Sequence, residues 1–337
     1  MKSSPLFFLL VVIYFIGCQN NIPQGARFIS ENDTMFPADI RSISAKINQN
    51  PQTPENYYLR ANAFYYLNNF KEASTDYLTA ISLQPDNALY HFRLSECYLN
   101  SDSAIYEEAI THLNEAIKLK PNLNDAKFSL AKVLLARQQY KESEELLMRL
   151  SKQPEFKEKS LMLMVVAKKE QKDTLSAVQF VDKVMLEFPE SFDATMQKAL
   201  FLLNSDLQLA EKYVDKAIVI NEFSDEAIYT KALILQRNNK YADALKLYDK
   251  VLKINPLHVY AIYNKAVINA QFDNHKNVID LCDKMIELNP IFSKAFTLRG
   301  FAQINLGNKK AAKQDLQAAL KLNPQDQIAK RELELLN

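Results

Sequence analysis

A residue pattern that returns about every 34 positions between Pro54 and Pro324 limits this 337-residue chain more than any other feature. A chain made of copies of one short unit buries its apolar surface by stacking the copies. Pro256, Pro290 and Pro324 are 34 residues apart, and small residues keep register with them. Ala244, Val278 and Ala312 stand twelve positions before those prolines, and Ala232, Ala266 and Gly300 stand twenty-four before. Towards the N-terminus the first column continues as Ala210, Ala177, Ser143, Ala109 and Ala73, and the second as Ala199, Val165, Ala131, Ser95 and Ala61. Eight units result.

Within a unit the spacing predicts a helix hairpin. Tyr57, Ala61 and Phe64 fall at i, i+4 and i+7, and Ala73, Tyr77 and Ala80 repeat that interval after Asn68-Asn69, so each half carries one apolar stripe. Small residues let the two helices approach. Tyr77, Leu113, Leu147, Val181, Val214, Tyr248, Cys282 and Leu316 fill the space between neighbouring hairpins. Pro85, Pro121, Pro189, Pro256, Pro290 and Pro324 stop the second helix, because proline has no N–H to donate and restricts the residue before it.

With Tyr57, Ala61, Phe64, Ala73, Tyr77, Ala80 and Pro85 in place, the units resemble tetratricopeptide repeats. The resemblance implies an all-α fold, a right-handed α-solenoid of about eight hairpins over residues 54–324. Three units depart from the pattern: Pro154 comes one place early, Lys168 stands where an aromatic or Leu is usual, and Glu222 replaces a proline. These departures leave the angle between hairpins near residues 155–225 open and the helices in place.

The N-terminus carries a second signal. Lys2 precedes an apolar run from Pro5 to Ile16, shorter than the ~20 residues of a membrane span and suited to a secretory signal. Its close, Phe15-Ile16-Gly17-Cys18, resembles the lipobox of bacterial lipoproteins, in which a peptidase cuts before the cysteine and the sulfur carries diacylglycerol. The resemblance implies a leader over 1–17, a lipid anchor on Cys18 and a polar tether over 18–35, with an ordinary signal peptide or an uncleaved anchor as alternatives. Gln19, where an aspartate would retain an inner-membrane lipoprotein, implies the outer membrane of a bacterial envelope.

Composition narrows the function classes. Lys and Arg number 41 against 40 Asp and Glu, so no basic field is available for a phosphate backbone and nucleic acid is not an expected partner. Four glycines and no tryptophan suit a helical chain with short turns. Cys97 and Cys282 fall in distant units and read as packed thiols. Gly17, Gly25, Gly300 and Gly307 form no phosphate loop, and His91, His112, His258 and His275 show no ligand spacing. Lys168-Lys169 and Lys309-Lys310 read as solvated charge. No cofactor, metal, small-molecule substrate or catalysis is expected.

What remains is a stripe on the first helix of each hairpin, facing away from the small columns. It holds Tyr58, Asn62 and Tyr65; Phe92, Glu96 and Leu99; Phe128, Lys132 and Leu135; Met162, Val166 and Lys169. It continues as Met196, Leu200 and Leu203; Tyr229, Leu233 and Gln236; Tyr263, Val267 and Ala270; Thr297, Phe301 and Ile304. In tetratricopeptide proteins this stripe lines an inner groove, and aromatic or methionine anchors there bind a peptide or helix, each contributing ~1 to 3 kcal/mol when desolvated. Tyr58 and Phe92 stand where the carboxylate clamp of chaperone-binding relatives needs lysine, so that mode is not expected.

Both ends read as caps. Residues 36–53 hold a lone helix with Ser42 and Ala45 in the packing columns, and residues 325–337 a helix with Ile328, Leu333 and Leu336 inward. One solenoid without a second domain is expected. The reading is a non-enzymatic, membrane-anchored scaffold holding an envelope protein in its groove; the alternatives are a docking subunit for a cell-wall hydrolase or synthase, and a surface lipoprotein binding extracellular polymer.

Overall fold

The computed structural model describes residues 35–101 and 105–336. Cys18, the leader and all of the tether but Met35 lie outside the described residues. Among the described residues eighteen helices and no strand occur. They fall into two compact units, one ending at Phe188 and the other starting at Pro189.

The first unit opens with a lone helix, α1 (Met35–Gln49), followed by four hairpins: α2 (Pro54–Tyr66) with α3 (Phe70–Leu83), α4 (Ala88–Asn100) with α5 (Tyr106–Leu119), α6 (Asn124–Ala136) with α7 (Tyr140–Leu150), and α8 (Pro154–Glu170) with α9 (Thr174–Glu187). The second unit has four hairpins and a closing helix: α10 (Phe192–Leu202) with α11 (Leu207–Ile220), α12 (Asp225–Arg237) with α13 (Tyr241–Ile254), α14 (Val259–Gln271) with α15 (His275–Leu288), α16 (Ser293–Asn305) with α17 (Lys309–Leu322), then α18 (Gln327–Leu335).

Every residue of the two small columns is buried, and so is every large residue that follows them, from Tyr77 to Leu316. The two serines in the columns satisfy their hydroxyls locally: Ser95 Oγ donates to the Phe92 carbonyl at 2.6 Å and Ser143 Oγ to the Ala131 carbonyl at 2.7 Å. Such bonds remove the cost of burying a hydroxyl.

The turn inside a hairpin has one recurring form. Asn68, Gln138, Lys172, Asn239, Asp273 and Gly307 all have φ between 55° and 80°. Each is followed by an N–H that donates five residues back, as from Asn69 to Phe64, Asp173 to Lys168 and Asn308 to Gln303, at 2.8 to 2.9 Å. This is the left-handed helix stop that satisfies the last carbonyls of the first helix. Between hairpins of the second unit, Asn221, Asn255, Asn289 and Asn323 each accept the N–H two residues on at 3.2 Å. The Asn221 turn ends α11 at the same place as its proline-marked counterparts, so Glu222 leaves the helix end in register.

Two departures do change the first unit. Pro154 does not stop α7; it is the first residue of α8, where a missing N–H costs nothing. As a result α7 has only 11 residues and α8 has 17. Lys168 is not solvated charge: its Nζ donates to Glu144 at 2.7 Å, and Gln171 reaches the same carboxylate at 2.6 Å, clipping α8 to α7.

The N-terminal helix packs on a face other than that expected, and the C-terminal helix packs Leu333 and Leu336 as expected but not Ile328. In α1, Ser42 and Ala45 are exposed, while Ile47 is buried and Ser44 accepts a bond from Arg60 at 3.1 Å. In α18, Ile328 is 56 % exposed, and Ala329 and Glu332 take the buried positions beside Leu333 and Leu336.

Charges join successive hairpins in a regular way. In the second unit Lys231, Lys265 and Arg299, each just ahead of its small-column residue, reach back 16 residues to Asp215, Asp249 and Asp283 on the preceding hairpin. In the last hairpin Arg299 also grips Asp315, with bonds of 2.9 and 2.6 Å. Arg60 does the same to Asp76 in the first hairpin, at 2.7 and 2.8 Å.

Candidate binding faces on the first helices

The stripe expected on the first helices divides into residues that present surface and residues that do not. In the first unit Tyr58, Asn62, Tyr65, Glu96, Phe128 and Met162 are half-buried and Lys132 is exposed. Phe92, at 6 % exposure, is instead part of the core formed with Leu113, Leu130 and Val133. In the second unit Tyr229, Tyr263 and Phe301 are half-buried, whereas Met196, at 1 %, packs with Ala217 and Ala227. Phe92 and Met196 are therefore removed from the face. Each belongs to the stripe by helical spacing alone, and in the fold it packs against the second helix of its own hairpin and the first helix of the next.

Aromatic rings on successive first helices touch. The Tyr58 ring on α2 is 5.0 Å from that of Tyr90 on α4, and the Tyr90 hydroxyl donates to Glu55 at 3.0 Å. Burial and that carboxylate push the Tyr90 phenol up to about 12. Tyr65 accepts a bond from Asn100 of α4 at 2.9 Å, and Tyr229 of α12 accepts one from Asn264 of α14 at 3.0 Å. Both pairs are 35 residues apart, one repeat plus one, a spacing that sequence reading could have used but did not. Asn62 does not present its amide oxygen to a ligand: it accepts the hydroxyl of Tyr77 at 2.7 Å.

A charged cluster lies beside these rings in the first unit. Arg93 on α4 donates to Glu96 at 2.6 Å. Burial raises the Glu96 carboxyl above the usual carboxylate range, with Arg93 and Lys132 opposing. Burial works against the charge of Arg93, and Glu96 and Tyr58 more than offset it, so its guanidinium is held more firmly protonated than usual. On α6 and α8 the Phe128 and Phe156 rings lie 6.1 Å apart, with the Lys159 ammonium 5.0 and 3.5 Å above them. In the second unit the Tyr229 ring lies 4.7 Å from His258, Tyr263 packs edge-on against Phe292 at 5.8 Å, and Phe301 sits 6.1 Å from the His275 ring.

Each unit thus offers a row of partly exposed rings packed against neighbouring rings, with Tyr65 and Tyr229 also hydrogen-bonded to the next hairpin. Such a row can take up apolar side chains and ring edges without rearranging. Away from it, a shallow depression of about 270 Å³ lies by the second helices α5 and α7, lined by Ile110, Leu134, Leu146 and Arg149 among others. Among the described residues no three His, Cys, Asp or Glu side chains are grouped to hold a metal ion, and no helix is long and apolar enough to cross a membrane. Cys97 and Cys282 are buried free thiols.

Three segments match family models: residues 61–101 match one described as a TPR repeat, and residues 225–258 and 293–326 match two described as tetratricopeptide repeats. No curated protein matches the sequence. Among solved structures the chain is similar to yeast Tom70, at 16% identity over 89% of this chain and 62% of that one, with a TM-score of 0.60. It is also similar to a tetratricopeptide repeat protein from Parabacteroides merdae, at 15% identity over 74% of this chain and 98% of that one, with a TM-score of 0.53. At these identities the likeness is one of fold. Sequence matches at three places, the neighbours' all-α architecture and the eight registered hairpins agree: the chain is a tetratricopeptide repeat protein.

Proposed function

We propose that this protein is a non-enzymatic scaffold that holds a peptide or helix of another protein along the first-helix faces of its hairpins. The observation that carries this reading is the row of ordered, half-exposed rings: Tyr58, Tyr65 and Phe128 in the first unit, and Tyr229, Tyr263 and Phe301 in the second. Aromatic side chains give large contact area at small entropic cost, which is why they dominate binding hot spots. Here the bonds from Asn100 and Asn264 fix two of them before a ligand arrives, which lowers the ordering cost of binding.

We place the scaffold in a bacterial envelope, lipid-anchored through Cys18 and facing partners near the outer membrane. The apolar run that closes at Phe15-Ile16-Gly17-Cys18 supports this location. Two acyl chains or more on one cysteine give lasting attachment at ~0.8 kcal/mol per buried methylene.

The test is in-cell crosslinking with mass spectrometry on the full chain. A variant with Tyr58, Phe128 and Tyr229 changed to serine is expected to keep its helical spectrum and lose a partner that the wild type captures. Identical capture by both would refute a role for these faces. Phe92→Ala and Met196→Ala serve as controls, since truncating buried side chains of this size costs ~2 to 5 kcal/mol and acts through stability. Location is tested separately: Cys18→Ala should abolish fatty-acid labelling, and retained labelling would refute the anchor.

A further inference from the structure

The second hairpin contains a contact that the binding faces do not use. Its two helices bring together His91 on α4 and His112 on α5, residues with no apparent relation in the sequence. The Nδ1 atoms are 2.9 Å apart and the ring centroids 5.2 Å apart. On its other side His91 Nε2 is 3.0 Å from the carbonyl oxygen of Pro85, in the loop leading into α4.

These contacts fix the protons. A carbonyl only accepts, so Nε2 of His91 carries a hydrogen and donates it. In the neutral ring that leaves a lone pair at Nδ1, and His112 must donate from its own Nδ1. His112 can take up a further proton at Nε2 without disturbing either bond. Hydrogen on Nδ1 of His91 requires His112 to hold its own hydrogen on Nε2 and accept instead, so the closed pair has room for one extra proton in either ring and no more: with two, both Nδ1 atoms carry hydrogen and face each other at 2.9 Å, charge against charge. His91 is only 7 % exposed, so water has little access to relieve the conflict.

We propose that the His91–His112 pair is a proton-excluding lock on the second hairpin, which holds while the pair carries at most one proton and releases α4 from α5 and from the Pro85 loop on acidification. The surroundings are consistent with this. Burial, followed by the neighbouring His91, holds His112 below the usual imidazole range, with Glu108 one turn earlier on α5 opposing. From α4 the Tyr98 ring lies 5.9 Å from His112. Asp86, beside Pro85, is exposed. The ionisable group that α3 sets against α4 is the Tyr77 phenol, which is bonded away to Asn62. α6 meets the hairpin through Ala126, Leu130, Val133 and Leu134, and its charged groups go to other partners: Arg137 to Glu107 of α5, and Lys132 and Asp125 towards Glu96 of α4.

The direction follows from proton counting. Below pH ~6.5 an unfolded chain protonates both imidazoles, whereas the closed pair binds one at most. The open state then binds at least one more proton, and the closing equilibrium falls about tenfold per pH unit. Because α4 carries Glu96 and the packed Phe92, release would reshape the ligand face of the first unit.

Hydrogen exchange of the full chain, read on peptides from residues 88–119, tests this. Between pH 6.5 and 5.5 the opening constant of α4 and α5 should rise about tenfold in the wild type. His91→Gln keeps a donor for Pro85, and His112→Asn can turn its amide oxygen to accept a proton from His91, so both should flatten the rise. A rise that persists in either variant would overturn the proposal. A second reading does not depend on the variants: histidine nitrogen resonances should show at most one of the two rings charged while the hairpin is closed. Two charged rings in the closed hairpin would equally overturn it.

Discussion

Replacing Arg299 with methionine isolates the worth of one charge in the last hairpin. Methionine keeps an unbranched apolar stem and removes the guanidinium, which lies 5.6 Å from the Phe296 ring and bridges Asp315 and Asp283. The two carboxylates differ in setting: the Asp315 side chain is 10 % exposed and that of Asp283 is 55 % exposed. Losing Arg299 leaves Asp283 to water at little cost, whereas Asp315 is left charged, buried and unpaired, a situation worth 3–5 kcal/mol. Protonation limits that loss. Neutralising an ordinary aspartate costs about 4 kcal/mol at pH 7 and about 1.5 at pH 5, from a reference pKa of ~3.9. In the variant the folded state holds a proton more tightly than the unfolded one, so the defect is full at neutral pH and shrinks as pH falls. Arg299→Met should therefore destabilise the last hairpin by about 3–4 kcal/mol at pH 7 and by roughly 1.5 kcal/mol at pH 5. Native-state hydrogen exchange of α16 and α17 measures both. Asp283→Asn should cost under ~0.5 kcal/mol, as half-exposed pairs do. A defect of equal size at the two pH values, or one matched by Asp283→Asn, would refute the assignment of the cost to Asp315.

Two further outcomes follow from local geometry. Lys172 holds φ at 60° and Gly307 at 80° in equivalent turns, so Lys172→Gly should stabilise its hairpin by up to ~1 kcal/mol and Gly307→Ala should destabilise its own by about the same, read by local exchange or denaturant midpoint; effects of the opposite sign would mean that the turns are not strained. Burial pushes the Cys97 and Cys282 thiols up to about 12, so neither should react with iodoacetamide at pH 8 in the folded chain and both should react in denaturant; rapid labelling of the native protein would contradict their burial.

The hairpins were legible because close approach of two helices demands a small residue at fixed phase, and that demand repeats in sequence every 34 positions. Ala61 and Ala73, or Ala266 and Val278, announce their contact directly. The side of the first helix that faces a ligand was less legible, since it depends on how far one hairpin rotates against the next. Phe92 and Phe128 occupy the same place in the pattern, yet Phe92 is core and Phe128 is half-buried. Lone helices lack even the register of a partner, so Ile43, Ser44 and Ile47 of α1 turn inward where Ser42 and Ala45 were expected. The His91–His112 contact spans two helices whose relative rotation no local period encodes, and neither residue matches the family pattern.

The backward pairs from Lys231, Lys265 and Arg299 to Asp215, Asp249 and Asp283 carry a consequence for how such a chain can change over time. Every junction they mark has the same polarity: a cation on the incoming hairpin and an acid on the outgoing one. A whole hairpin copied or deleted between them would bring one cation to one acid, so lengthening or shortening the second unit by 34 residues creates no orphan charge. In the first unit the junctions described above are of other kinds, such as Tyr65 with Asn100 and Lys168 with Glu144. Growth by duplication is thus open to the second unit at the joints its repeated charge pairs mark.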